Sequence, residues 1–221
     1  MTSSRVAEFQ AIITSLALEE SGGTWVRAIP LQYLSAPPPG SPEDALPNPL
    51  WPGGTHLTEA RFIPKAMCDA YHISESISTA LAEAERLPES IVDPVFGVPR
   101  ADLALLRVDW RLTAVLNLCD AAVQDALAVT EEDLVSLTSL LDVLDQTHNP
   151  AAETLTQQIG RAAYRDPRIA AILYPSARRR TGRNIVVFTD RLTPESGQFL
   201  QTQDATRNRI WRLPPTAVSP W

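Results

Sequence analysis

Six polar residues stand where this sequence passes between strand, loop and helix: Arg27, Arg61, Tyr71, Glu83, Ser176 and Asn184. Arginine suits phosphate, because its planar fork reaches two anionic oxygens at once. A carboxylate stabilises a cation that develops during a reaction. A tyrosine ring offers a flat face to an aromatic ligand, and a serine hydroxyl can orient a sugar, a phosphate or an incoming nucleophile. Arg178, two residues after Ser176, opens a basic turn that reads as a solvated hairpin or as a further cation for a phosphate. Taken singly, such residues are more often an ion pair, a solvated helix carboxylate, a half-buried phenol or a turn residue. Convergence in space is what would make them a site.

Other chemistries find little to build on. The chain has no phosphate-binding glycine loop, no paired-histidine metal motif and no nucleophile elbow. His56, His72 and His148 are scattered, and Cys68 and Cys119 lack the clustered spacing of a zinc site, so no metal is expected. Two cysteines in 221 residues also fit a reducing compartment rather than a disulfide scaffold. With 26 Asp and Glu against 19 Lys and Arg, the net charge of −7 offers no global field for phosphate backbones or anionic lipid. Nucleic acid and membrane are therefore not expected partners. The first 20 residues lack the basic, apolar, small-residue order of a signal peptide, and a cytoplasmic location is expected.

The elements that must position these residues follow from periodicity. Val6, Phe9, Ile12, Ile13 and Leu16 recur at helical spacing and predict an opening helix ended by Gly22-Gly23. Residues 24–29 read as a strand stopped by Pro30. Residues 35–54 hold seven prolines and predict a long loop. A short extended piece runs to Pro64, and residues 70–73 predict a strand. Ser74 or Ser76 then caps a helix with Ile77, Ala80, Leu81, Ala84 and Leu87 on one face. Glu83 falls at the edge of that face, where a carboxylate looks into a cleft. Residues 112–118 alternate as a strand does, and Asp120 begins a turn or short helix. Thr130 with Asp133 and Thr154 with Gln157 form capping boxes that start two helices, separated by Asn149-Pro150. Residues 169–174 and 184–188 predict strands joined through a basic turn, residues 178–183. Strands and helices mix without regular alternation, which predicts one α+β domain with a mixed sheet and flanking helices.

The local contexts of the six residues resemble the RES family, named for its Arg, Glu and Ser motif residues and similar in fold to ADP-ribosyltransferases. Trp25-Val26-Arg27 looks like the family's first arginine at the end of its opening strand. Ala60-Arg61-Phe62 resembles the motif of the second arginine, although Ala60 and Ile63 depart from the usual glycine and asparagine. Residues 70–74 leading to Thr79-Ala80-Leu81-Ala82-Glu83 are similar to the tyrosine strand and the Ala-Leu-x-Glu helix. Tyr174-Pro175-Ser176-Ala177-Arg178 resembles the serine motif, and residues 184–188 the strand after it. The likeness spans roughly residues 24–190.

The resemblance implies an enzyme that degrades NAD by cleaving its nicotinamide–ribose bond. Glu83, Arg27 and Ser176 would be catalytic, and Arg61, Tyr71, Asn184 and Arg178 would bind substrate. Arg27 and Arg61 would clamp the pyrophosphate and Tyr71 would stack on nicotinamide. NAD enters as substrate rather than cofactor, and water or inorganic phosphate as co-substrate takes the ribose carbon. The family further implies a toxin neutralised by a cognate antitoxin; a homo-oligomer stays open. The alternatives are transfer of ADP-ribose to a protein, for which residues 35–54 would face the acceptor, and an inactive binding module of the same fold. The expected organisation is an N-terminal helix over 1–22, the catalytic domain over 23–195 and a C-terminal surface strap over 196–221.

Overall fold

The computed structural model describes residues 2–31, 34, 48–52, 60–84, 103–136, 153–204 and 209–215. Most of the proline-rich loop, Leu87, Asn149-Pro150 and the last six residues lie outside them. Helix α1 (Thr2–Ser15) leads into strand β1 (Glu19–Pro30), then β2 (Ala70–Ser74), α2 (Ile77–Ala84) and β3 (Leu103–Asn117). After these come α3 (Ala121–Ala126), α4 (Glu131–Val135), α5 (Leu155–Arg165), β4 (Ala171–Pro175), β5 (Arg183–Phe188), β6 (Phe199–Asp204) and β7 (Arg209–Leu213). The α+β class with a mixed sheet and flanking helices is as expected. Among the described residues no helix is long and apolar enough to cross a membrane.

The strands run in the order β1-β2-β5-β4-β3-β6-β7, and β1 also pairs with β3, so the first five close a circuit. Among the described residues only the β3–β4 pair is parallel. Alternation along the strands separates two cores. Tyr71, Ile73, Trp110, Leu173, Ile185 and Val187 form one, and Phe62, Leu116, Ile172, Tyr174, Val186 and Phe188 the other, beneath α1 and α5. The three helix starts expected from Asp120, Thr130 and Thr154 are observed, the last two with both halves of the capping box.

The structure corrects the sequence reading at four places. Gly22-Gly23 do not end the first helix, which stops at Ser15; both lie inside β1. A side chain at Gly22 would put its Cβ 2.8 Å from the Trp110 carbonyl oxygen, so glycine permits the close β1–β3 contact. The strand expected at 112–118 begins nine residues earlier, at Leu103, because β1 pairs with that alternating stretch as far as Leu103. Residues 60–64, expected as a short extended piece, make a tight turn closed by paired hydrogen bonds between Ala60 and Ile63. The expected strap instead supplies β6 and β7, which extend the sheet from β3 and bury Leu200 and Trp211.

Candidate active site

Glu83 projects from α2, whose start is held by Ser76: its hydroxyl accepts the Thr79 amide at 3.2 Å. The helix lies close to the hairpin between β4 and β5, because a Cβ at Gly182 would come within 2.7–2.8 Å of the Thr79 side chain. Gly182 itself closes that turn, its amide donating to the Arg179 carbonyl at 2.7 Å and its carbonyl accepting the Ser176 amide at 2.8 Å. The same helix packs against β1, which carries Arg27.

A relay of hydrogen bonds fixes the carboxylate. Ser74 Oγ donates to Asn184 Oδ1 at 2.7 Å, and Asn184 Nδ2 donates to Glu83 Oε1 at 2.8 Å. Ser176 Oγ donates to the same Oε1 at 2.6 Å while accepting the backbone amides of Arg178 at 3.2 Å and Arg179 at 3.1 Å. Register explains the meeting: Ser74 pairs with Asn184, and Asn184 with Tyr174, so all three share one face of the sheet. Ser176, one residue beyond Pro175, returns to that face. Ser74, Ser176 and Asn184 are all buried, and each is satisfied by the next. Both bonds to Glu83 fall on Oε1, which leaves Oε2 without a hydrogen bond among the described residues.

Two arginines flank this centre in different ways. Arg61 Nη1 donates to the Leu134 carbonyl at 3.2 Å. Burial lowers its pKa, and the charges of Glu83 and Arg178 both reach it, in opposite senses. Arg27 lies over the Tyr71 ring, 4.0 Å from its centroid, a cation–π seat. Its Nη1 is buried without a hydrogen-bond partner among the described residues. An unpaired buried guanidinium nitrogen is costly, and an anionic ligand would satisfy it.

Glu83, Ser176 and Asn184 are thus in direct contact, and Arg61 and Arg178 lie in the same electrostatic neighbourhood. Arg27 and Tyr71 form a separate pair on the other face of β2 from Ser74, and β1 connects that pair to α2. Tyr71 does not present an open ring for stacking. It is fully buried, its hydroxyl donates to the Pro49 carbonyl at 3.0 Å, and Arg27 covers its face. Its structural service is to seat Arg27.

Sequence reasoning passed over several residues of the site. Ser74 was expected only as a cap alternative, Gly182 as part of a basic turn, and His72 and Tyr174 had no role. The available signal was polarity: a serine and an asparagine inside otherwise apolar strands have to be paired in the fold. Tyr174 packs on Phe62, beside Arg61, with ring centroids 4.6 Å apart, and its hydroxyl lies 3.3 Å from His72 Nδ1. Phe62 is fixed from behind, since a Cβ on Gly160 would sit 1.8 Å from the Phe62 carbonyl oxygen. Burial pushes Tyr174 further up, aided by the Glu83 charge, and pushes His72 down to about 4, aided by Arg27. Both are neutral at physiological pH. Among the described residues no group of His, Cys, Asp and Glu could hold a metal.

Comparison with known proteins gives a family match and a fold likeness. The family model for the RES domain matches residues 34–208. A search of curated proteins gives no match. Among solved structures, the chain is similar to one from the crystal structure of the M. tuberculosis MbcT–MbcA toxin–antitoxin complex. The TM-score is 0.59 at 18% identity, covering 89% of this chain and 90% of that one. The match spans well over half of the sequence and includes Arg61, Tyr71, Glu83, Ser176 and Asn184, so the chain belongs to the RES domain family.

Proposed function

We propose that this protein degrades NAD by cleaving the bond between nicotinamide and ribose. The observation that carries the reading is the carboxylate of Glu83, held by two donors through one oxygen with the other left for a ligand. When nicotinamide leaves, positive charge builds on the ribose ring, and a fixed carboxylate beside that ring stabilises it. Ser176 and Asn184 act on the reaction through Glu83, by holding it in place before substrate arrives. Arg27 Nη1, without a hydrogen-bond partner among the described residues, suits the pyrophosphate, with Arg61 and Arg178 as the further cations. Membership of the RES family supports the reading, and so does the fold likeness to a toxin–antitoxin complex. On the same grounds the enzyme is a cytoplasmic toxin restrained by a partner protein.

Water or inorganic phosphate takes the ribose carbon. The test is to incubate purified protein with NAD, with and without phosphate, and follow the products by mass spectrometry. Free nicotinamide with ADP-ribose indicates water, and a phosphorylated ADP-ribose that appears only with phosphate indicates phosphorolysis. ADP-ribose found on protein side chains would establish transfer instead, and intact NAD would refute the reading.

A further inference from the structure

We infer that Ser74 is a positioning residue for Glu83: its hydroxyl fixes the side-chain amide of Asn184, and that amide holds the carboxylate in place for the reaction. The inference rests on the NAD-cleaving reading and deepens it.

The two donors on Glu83 Oε1 are secured in different ways. Ser176 is held by the main chain: its Oγ accepts the backbone amides of Arg178 at 3.2 Å and Arg179 at 3.1 Å, and its one proton goes to Oε1 at 2.6 Å. Neighbouring side chains do not enter that arm. Asn184 has no such support, because its amide turns about side-chain bonds and can present either end. Nδ2 faces Oε1 at 2.8 Å, and among the described residues the opposite end, Oδ1, is held by Ser74 Oγ alone, at 2.7 Å.

Burial makes that bond consequential. Ser74 and Asn184 are 6% and 3% exposed, so bulk water does not stand in for a lost partner. An Oδ1 stripped of the hydroxyl is an unsatisfied buried acceptor, and the amide gains by turning it toward another donor. Any such turn takes Nδ2 off its line to Oε1, and a reversed amide sets Oδ1 against a carboxylate oxygen. The donated hydroxyl also polarises the amide, which strengthens the N–H bond to Glu83. Ser74 closes β2, where it pairs with Val26 of β1 and with Asn184 of β5. These pairings belong to the backbone, so removing the hydroxyl takes away the side-chain arm and leaves the register of the sheet.

The experiment measures nicotinamide release from NAD under single-turnover conditions, and KM in the steady state, for the wild type, Ser74→Ala, Ser74→Thr, Asn184→Ala and the Ser74→Ala, Asn184→Ala double variant. Melting temperatures confirm folded protein. Ser74→Ala should slow release about fivefold to twentyfold with KM changed by less than about twofold, because the loss falls on a group that acts in the transition state. Ser74→Thr, which keeps the hydroxyl, should recover most of that loss. In the Asn184→Ala background, Ser74→Ala should change the rate by less than about twofold, since the residue through which it acts is gone. Should Ser74→Ala not fold, Ser74→Cys, which keeps only a weak donor, gives the same comparison. A folded Ser74→Ala enzyme that releases nicotinamide at the wild-type rate overturns the inference alone, and so does a loss that persists undiminished without Asn184. A wild type that leaves NAD intact overturns it together with the proposed function.

Discussion

Replacing Glu83 by glutamine removes one negative charge and almost nothing else. The side chains have the same shape, so the amide oxygen can take the place of Oε1 and go on accepting from Ser176 and Asn184, now at 2.6 Å and 2.8 Å. Bonds to a charged acceptor are stronger than bonds to a neutral one by about 1 kcal/mol each, so a stability loss of about 1–2 kcal/mol is expected. In a chain of 221 residues that is a fall of roughly 2–8 °C in melting temperature. The effect on rate is larger. A carboxylate roughly 4 Å from a developing unit charge, at an effective dielectric constant of about 20, contributes about 4 kcal/mol to the transition state. Much of that charge develops only during bond cleavage, so a rate loss on the order of a hundredfold to a thousandfold is expected. Nicotinamide release under single-turnover conditions, with enzyme in excess of NAD, isolates the chemical step. A folded Glu83→Gln protein within fivefold of the wild-type rate would refute the assignment of the carboxylate.

Three further outcomes are expected. Gly182→Ala puts a methyl 2.7–2.8 Å from the Thr79 side chain and moves α2 off the hairpin, so nicotinamide release should fall at least tenfold while circular dichroism shows the fold retained. Arg27→Lys keeps the charge and loses the planar fork over Tyr71, so kcat/KM for NAD should drop about tenfold, mostly through KM. Asp166 is held below the usual carboxylate range, first by the Arg168 side chain, which donates to it at 2.7–3.2 Å. A depressed folded-state pKa adds stability that is fully present above the unfolded value of about 3.9 and is lost as pH falls through the lower folded value. Asp166→Asn should therefore lower the melting temperature at pH 7 by roughly 2–4 °C, an effect that shrinks toward pH 3.

The local pieces of this protein were legible in the residues themselves. Capping boxes at Thr130 and Thr154 and the cap at Asp120 depend on side chains three residues or fewer from the backbone they bond, so short-range chemistry sufficed to find them. Strands over residues 70–73 and 184–188 followed from short apolar runs, the α+β class from the irregular mixing of strands and helices, and the resemblance of several short motifs picked out Arg27, Arg61, Glu83, Ser176 and Asn184. Contacts between distant segments were decided only in three dimensions. Gly22-Gly23 read as a helix stop because nothing nearby shows that β3 will press against them, and residues 199–213 read as a strap because β6 becomes a strand by pairing with β3, some ninety residues earlier. Tyr71 read as an open ring because its cover, Arg27, arrives from another strand. The bond from Ser176 to Glu83 joins residues 93 positions apart, and that from Ser74 to Asn184 spans 110. Residue type sets which groups can bond, but register and strand order determine which of them meet, and both are properties of the whole sheet.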